Sequence, residues 1–141
     1  MQKVLEENPQ ATQVVLLFGG NDCEAKHHID EIIQQYDLMI DVIKMCLGND
    51  CCIIMSSIPQ RRRCSTMTHL KIAALNQHIA SLHNPHHNLH YVDAAPRFGH
   101  QMRDRVHMNY QGMSDWAEKI GKVLDFTSNF QVTGIEMNQS N

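Results

Sequence analysis

Val14-Val15-Leu16-Leu17-Phe18-Gly19-Gly20-Asn21-Asp22-Cys23 is a continuous apolar run that stops at two glycines and then presents an Asn and an Asp. A run of this length, rich in β-branched residues and closed by glycine, has the character of a buried parallel strand. In an open α/β sheet, ligands bind just beyond the carboxyl ends of the strands, where Asn21 and Asp22 would then lie. Glycine lets the backbone turn sharply and lets another group approach it closely. An ordinary strand followed by an ordinary turn fits the same residues equally well, because Gly, Asn and Asp are common turn formers. Both readings stay open on this stretch alone.

Working outward, the pattern alternates between short apolar runs and helical spacing. Residues 2–8 read as the end of a helix broken at Asn8-Pro9, and the first strand covers roughly 13–19. After the Gly19–Cys23 loop, Ile29, Ile32, Ile33, Tyr36, Met39, Ile40, Ile43 and Leu47 recur at helical spacing. Asp30 and Glu31 suit the first turn of that helix, and Gly48-Asn49 its end. Cys51–Met55 is a second buried strand, left by Ser56-Ser57-Ile58-Pro59 and the basic loop Gln60-Arg61-Arg62-Arg63. A helix over 67–82, a third strand at Leu89–Asp93, a long loop over 94–109 and a last helix over 111–124 follow. From Thr127 the composition turns polar and the periodicity fades. The expected organisation is a domain over 1–125 and a polar tail over 126–141. Strands alternating with amphipathic helices predict βαβ units, a parallel sheet and right-handed crossovers.

Composition narrows the function classes. The 141 residues are 43% hydrophobic and 19% charged with a formal net charge of −3, which fits one soluble domain with a real core. Such a charge gives no global case for binding nucleic acid and leaves local patches open. Nothing approaches the ~20 consecutive apolar residues of a membrane span, and Met1–Asn8 lacks a secretory core. A cytoplasmic location is therefore expected. The five cysteines are odd in number, sit mostly in apolar segments and contain no CxxC, so buried reduced thiols are expected rather than disulfides or a cysteine-based zinc site.

A second constellation stands before the last helix: Asp104-Arg105-Val106-His107-Met108-Asn109. A carboxylate three residues before a histidine can bond Nδ1–H and leave Nε2 as a general base. With ten histidines in the chain, a solvated His is the commoner outcome for any one of them. The spacing adds little, and the position adds more: the block stands directly before an amphipathic helix and downstream of Gly-Gly-Asn-Asp.

Together, Gly19-Gly20-Asn21-Asp22 and Asp104-Arg105-Val106-His107-Met108-Asn109-Tyr110-Gln111-Gly112 resemble two blocks of the SGNH (GDSL-type) hydrolases, over about residues 10–124. The strands ending at Ser56-Ser57-Ile58-Pro59 and Val92-Asp93 fall where that family has them. The resemblance implies a flavodoxin-like, three-layer α/β/α fold with a parallel sheet, N-terminally truncated to about three strands. It implies hydrolysis of a small acyl ester, with His107 as general base, Asp104 as its orienting partner and Asn21 as an oxyanion donor. Gly19, Gly20 and Asp22 would line the substrate side, with Asp22 tying down the loop. No cofactor and no metal are implied.

The family's Gly-Asp-Ser block and its second oxyanion glycine should precede Gly19, yet no serine occurs in the residues before it. The expectation is therefore a fragment, inactive unless a Ser-bearing segment completes it. Ser56, Ser57 and Cys23 read as turn formers and a packing residue rather than as replacement nucleophiles. Truncation would also leave the 13–19 strand as a bare apolar edge open to self-association. The alternative is a non-catalytic module that binds a protein partner or nucleic acid, through Arg61–Arg63 in the latter case. Three arginines without interleaved aromatics are more simply a solvated loop. His83, His86, His87 and His90 cluster around Asn84-Pro85, a weak setting for a four-ligand zinc site.

Overall fold

The computed structural model describes residues 2–97, 99–104, 107–127 and 136–137. Helix α1 (Gln2–Glu7) leads into strand β1 (Gln13–Leu16), a short helix α2 (Gly20–Glu24) and the long helix α3 (Ile29–Leu47). Strand β2 (Cys52–Ser56), helix α4 (Thr66–Ser81), strand β3 (Leu89–Val92), helix α5 (Tyr110–Thr127) and a two-residue strand β4 (Glu136–Met137) complete the order. The sheet runs β3-β2-β1-β4, and every pair is parallel.

Local chemistry explains the elements. Asp30 and Glu31 in the first turn of α3 favour its N-terminus, and Gly48 at φ +89° ends it. Ser65 caps α4, its hydroxyl accepting from the Thr68 N–H at 3.1 Å. Alternation along β1 divides the core into two layers. Val14 and Leu16 face a large cluster with Ile32, Tyr36, Ile40 and Ile43 of α3 and with Ile72, Leu75 and Ile79 of α4. Val15 and Ile54 face a smaller cluster with Ala94, Ile120 and flanking Trp116, Val123 and Leu124. Helices thus cover both faces, giving the α/β/α arrangement that buried parallel strands require.

The path of α5 is pinned at both ends. Near its start, Trp116 Nε1 donates to Ser56 Oγ at the end of β2 (2.8 Å). Near its finish, Gln13 Nε2, at the start of β1, donates to the Leu124 carbonyl (3.2 Å) and the Thr127 hydroxyl (2.7 Å). The helix therefore runs antiparallel to the strands, and its N-terminus stands at their carboxyl rim.

Three differences from the sequence expectations have physical causes. Gly19–Cys23 is not all loop: Gly20–Glu24 winds into α2, because Gly19 in the left-handed region (φ +111°) starts a helical turn there. The last helix continues to Thr127, where the hydroxyl bonds back to the Val123 carbonyl at 2.9 Å. Beta-1 is also not a bare edge. Val15 and Leu16 pair with Glu136 and Met137, so the stretch expected to trail as a tail returns to the sheet beside β1. Two residues carry no periodicity, which is why the return is invisible in the sequence. Residues 128–135 and 138–141 lie outside the described residues.

Candidate active site

At the carboxyl end of β1 the chain makes two close approaches. A Cβ on Gly19 would lie 2.8 Å from Leu75 Cδ2, and one on Gly20 would lie 2.8 Å from Arg61 Nη2. The guanidinium of Arg61 therefore rests against the Gly20 backbone, which only glycine permits. Arg61 is 8% exposed. Its Nη2 donates to Asn21 Oδ1 at 2.5 Å, and its Nη1 lies 3.4 Å from Glu24 Oε2. Because a guanidinium only donates, the atom of Asn21 that meets it is the carbonyl oxygen. The Nδ2 corner of the amide is thereby turned away from Arg61.

Asp22 and Cys23 sit behind this loop, both buried. Burial raises the Asp22 carboxyl above its ordinary range, opposed by His27. The Cys23 thiol is pushed up to about 11 by burial, reinforced by Asp22 and only partly offset by Lys71 and Arg61. A thiol in that state is no nucleophile near neutrality. Lys71 Nζ donates to the Ala25 and His27 carbonyls just beyond α2, at 3.3 and 2.7 Å.

Ser56 and Ser57 end β2 at the same rim, and both hydroxyls are committed. Ser56 Oγ donates to the Ser57 carbonyl (2.9 Å) and accepts from Trp116. Ser57 Oγ donates to Asp93 Oδ1 and accepts from the Ala95 N–H, each at 3.0 Å. They join β2, β3 and α5, and the group that Ser57 meets is the Asp93 carboxylate rather than a histidine.

The segment before α5 folds back on itself. Met102 and Met108 form an antiparallel bridge, and Arg103 N–H donates to the His107 carbonyl at 2.7 Å. Asn109 secures the turn: Oδ1 accepts from Gly112 N–H (2.9 Å), and Nδ2 donates to the His100 carbonyl (2.5 Å). Within this turn, Asp104 Oδ1 accepts from the His107 N–H at 2.7 Å. His107 Nδ1 lies 3.0 Å from Oδ2 and 3.2 Å from Oδ1. A carboxylate there favours the tautomer with its proton on Nδ1 and the lone pair on Nε2. Both side chains are about half exposed.

Asp104 and His107 are thus brought together, as are Arg61 and Asn21, and both pairs stand at the carboxyl rim of the sheet. Sequence reasoning gave neither Arg61 nor Asn109 a part in positioning these side chains. Arg61 is hidden in a run of three arginines, where only its place just after a strand end distinguishes it. Asn109 carried a cap signal ahead of Gly112. Of that basic run, Arg62 and Arg63 are exposed, whereas Arg61 turns inward. In the histidine cluster, His83 Nδ1 accepts from the Tyr91 N–H, and among the described residues no set of three or more His, Cys, Asp or Glu could hold a metal ion. No described helix is long and apolar enough to cross a membrane.

No family model and no curated protein matches the chain. Solved structures do. One is a mutant acetyl esterase crystallised with an acetate ion: TM-score 0.67, 18% identity, covering 89% of this chain and 67% of that one. Another is a suspected acylhydrolase from Bacteroides fragilis: TM-score 0.69, 16% identity, covering 89% of this chain and 68% of that one. The chain shares with both the flavodoxin-like α/β fold, a parallel sheet flanked by helices.

Proposed function

We propose that this chain supplies the base and the oxyanion donor of an acyl-ester hydrolase acting on small esters, the nucleophilic serine coming from a Gly-Asp-Ser segment that these 141 residues do not include. The observation that carries the reading is the Asp104 carboxylate gripping both the backbone N–H and Nδ1 of His107. That grip aligns Nε2 as a base. In the proposed reaction Nε2 takes the serine hydroxyl proton as the oxygen attacks the ester carbonyl. The carbonyl oxygen becomes an anion and receives the Asn21 Nδ2–H. The anion then collapses, the alkoxide leaves with the proton held by His107, and water repeats the sequence to free the acid. Asn21 suits the donor role because Arg61 fixes its amide against flipping, and a fixed donor needs no reorganisation as charge develops.

The test is hydrolysis of p-nitrophenyl acetate by the chain alone and by a chimera carrying a Gly-Asp-Ser strand–helix segment ahead of it. Turnover is expected only from the chimera. His107→Ala should abolish it, and Asn21→Ala should lower kcat roughly 100- to 1000-fold. A chimera as active with His107→Ala as without it would overturn the reading, and His107-dependent turnover by the chain alone would refute the missing nucleophile.

A further inference from the structure

Away from β1, the loop leaving β2 and the first turn of α4 bring three side chains into line. Cys64, half-buried, directly precedes the capping Ser65, and its Sγ lies 3.4 Å from His69 Nε2 and 3.3 Å from the Arg61 carbonyl oxygen, the two acceptors within reach of its one S–H. His69 Nδ1 lies 2.8 Å from Gln60 Oε1, and Gln60 Nε2 donates to the His69 carbonyl at 3.1 Å. That second contact decides the protons. A carbonyl only accepts, so the Gln60 nitrogen faces it and the Gln60 oxygen faces the ring. An amide oxygen also only accepts, so Nδ1 carries the hydrogen and Nε2 turns its lone pair to Sγ. This is the relation of nucleophile, base and orienting group.

We propose that Cys64 is a reactive thiol, with His69 as its base and Gln60 as the positioning residue, that exchanges with anionic low-molecular-weight disulfides. Arg62 and Arg63, both exposed and immediately before Cys64, supply the charge that selects an anionic partner. His69 Nε2 takes the thiol proton, and the thiolate attacks one sulfur of R–S–S–R. The Cys64–S–R bond forms as the R–S–S–R bond breaks, and the departing thiolate takes the proton back from His69. Cys64 is oxidised to a mixed disulfide, and one half of the small disulfide is reduced to a thiol. The other thiols differ in kind. Cys23, Cys51 and Cys52 are buried, and burial pushes all three up. Cys46 matches Cys64 in exposure and serves as the comparison.

The experiment incubates the whole chain with glutathione disulfide and follows each cysteine by peptide mass mapping. Cys64 should acquire the adduct on the order of tenfold faster than Cys46. His69→Ala should bring it down to the Cys46 rate. Gln60→Ala should slow it, and Gln60→Glu, which keeps an acceptor at Nδ1 but adds a charge there, should recover the rate and displace its pH profile. Replacing Arg62 and Arg63 with Gln should slow glutathione disulfide but not uncharged hydroxyethyl disulfide. His69 and Gln60 are exposed, so their loss leaves the core intact, which unlabelled Cys23 and Cys51 verify. Equal rates at Cys64 and Cys46, or a rate indifferent to His69→Ala, would overturn the proposal.

Discussion

Arg61 meets two oxygens of α2 from outside that helix, Asn21 Oδ1 and Glu24 Oε2, across a glycine that lets it approach. Removing the guanidinium takes a buried, charged donor away from two half-buried oxygens. Arg61→Ala should therefore lower stability by about 2 kcal/mol in urea denaturation followed by circular dichroism. Arg61→Lys should recover little, because one ammonium cannot reproduce the planar fork. Asn21→Asp separates structure from chemistry. A carboxylate still accepts from Arg61, so stability should stay within about 1 kcal/mol of the parent. The N–H donor is gone, however, and a chimera carrying a serine block should lose its His107-dependent turnover. This residue-scale partnership was not legible beforehand. Asn21 announced itself by following a buried strand and two glycines, whereas a charge run gives no hint of which member turns inward.

At the scale of elements, α5 contains a matched pair of glycines with opposite requirements. A Cβ on Gly112 would lie 2.3 Å from the Gln101 carbonyl oxygen, where the loop holding Asp104 and His107 crosses the helix. Backbone cannot step aside cheaply. Gly112→Ala should cost about 1–3 kcal/mol and should loosen the turn that holds His107. Gly121, further along the same helix, has nothing within 4 Å of its would-be Cβ. Gly121→Ala should raise stability by about 0.5–1 kcal/mol. Thermal melts of the two variants test the contrast, and equal effects would refute it. Long helices were the most legible elements. The spacing predicts 29–47 and 67–82, and the structure has Ile29–Leu47 and Thr66–Ser81. Four turns of 3.6-residue periodicity outweigh local noise. Helix α2 was not legible, since Gly-Asn-Asp is turn chemistry in isolation and the helix depends on the Gly19 conformation and on Arg61 packing from afar.

For the molecule as a whole, the parallel sheet was legible because short strand-like runs alternate with helical spacing. The return of the chain to the sheet was not. That return means that residue 15 is zipped to residue 136, a contact whose formation must wait until nearly the full chain has organised between them. In β2, by contrast, Ile53, Ile54 and Met55 each have a partner on both sides. Native-state hydrogen exchange should therefore reveal a gradient in time. The Ile53 and Ile54 amides should open only with global unfolding, whereas Glu136 and Met137 should exchange first among the strands. Uniform protection across all four strands would contradict it. The last strand of the chain thus behaves as a clasp fastened at the end of folding and unfastened at the start of unfolding, so the strand bearing the Asn21 loop can lose a neighbour long before the rest of the sheet gives way.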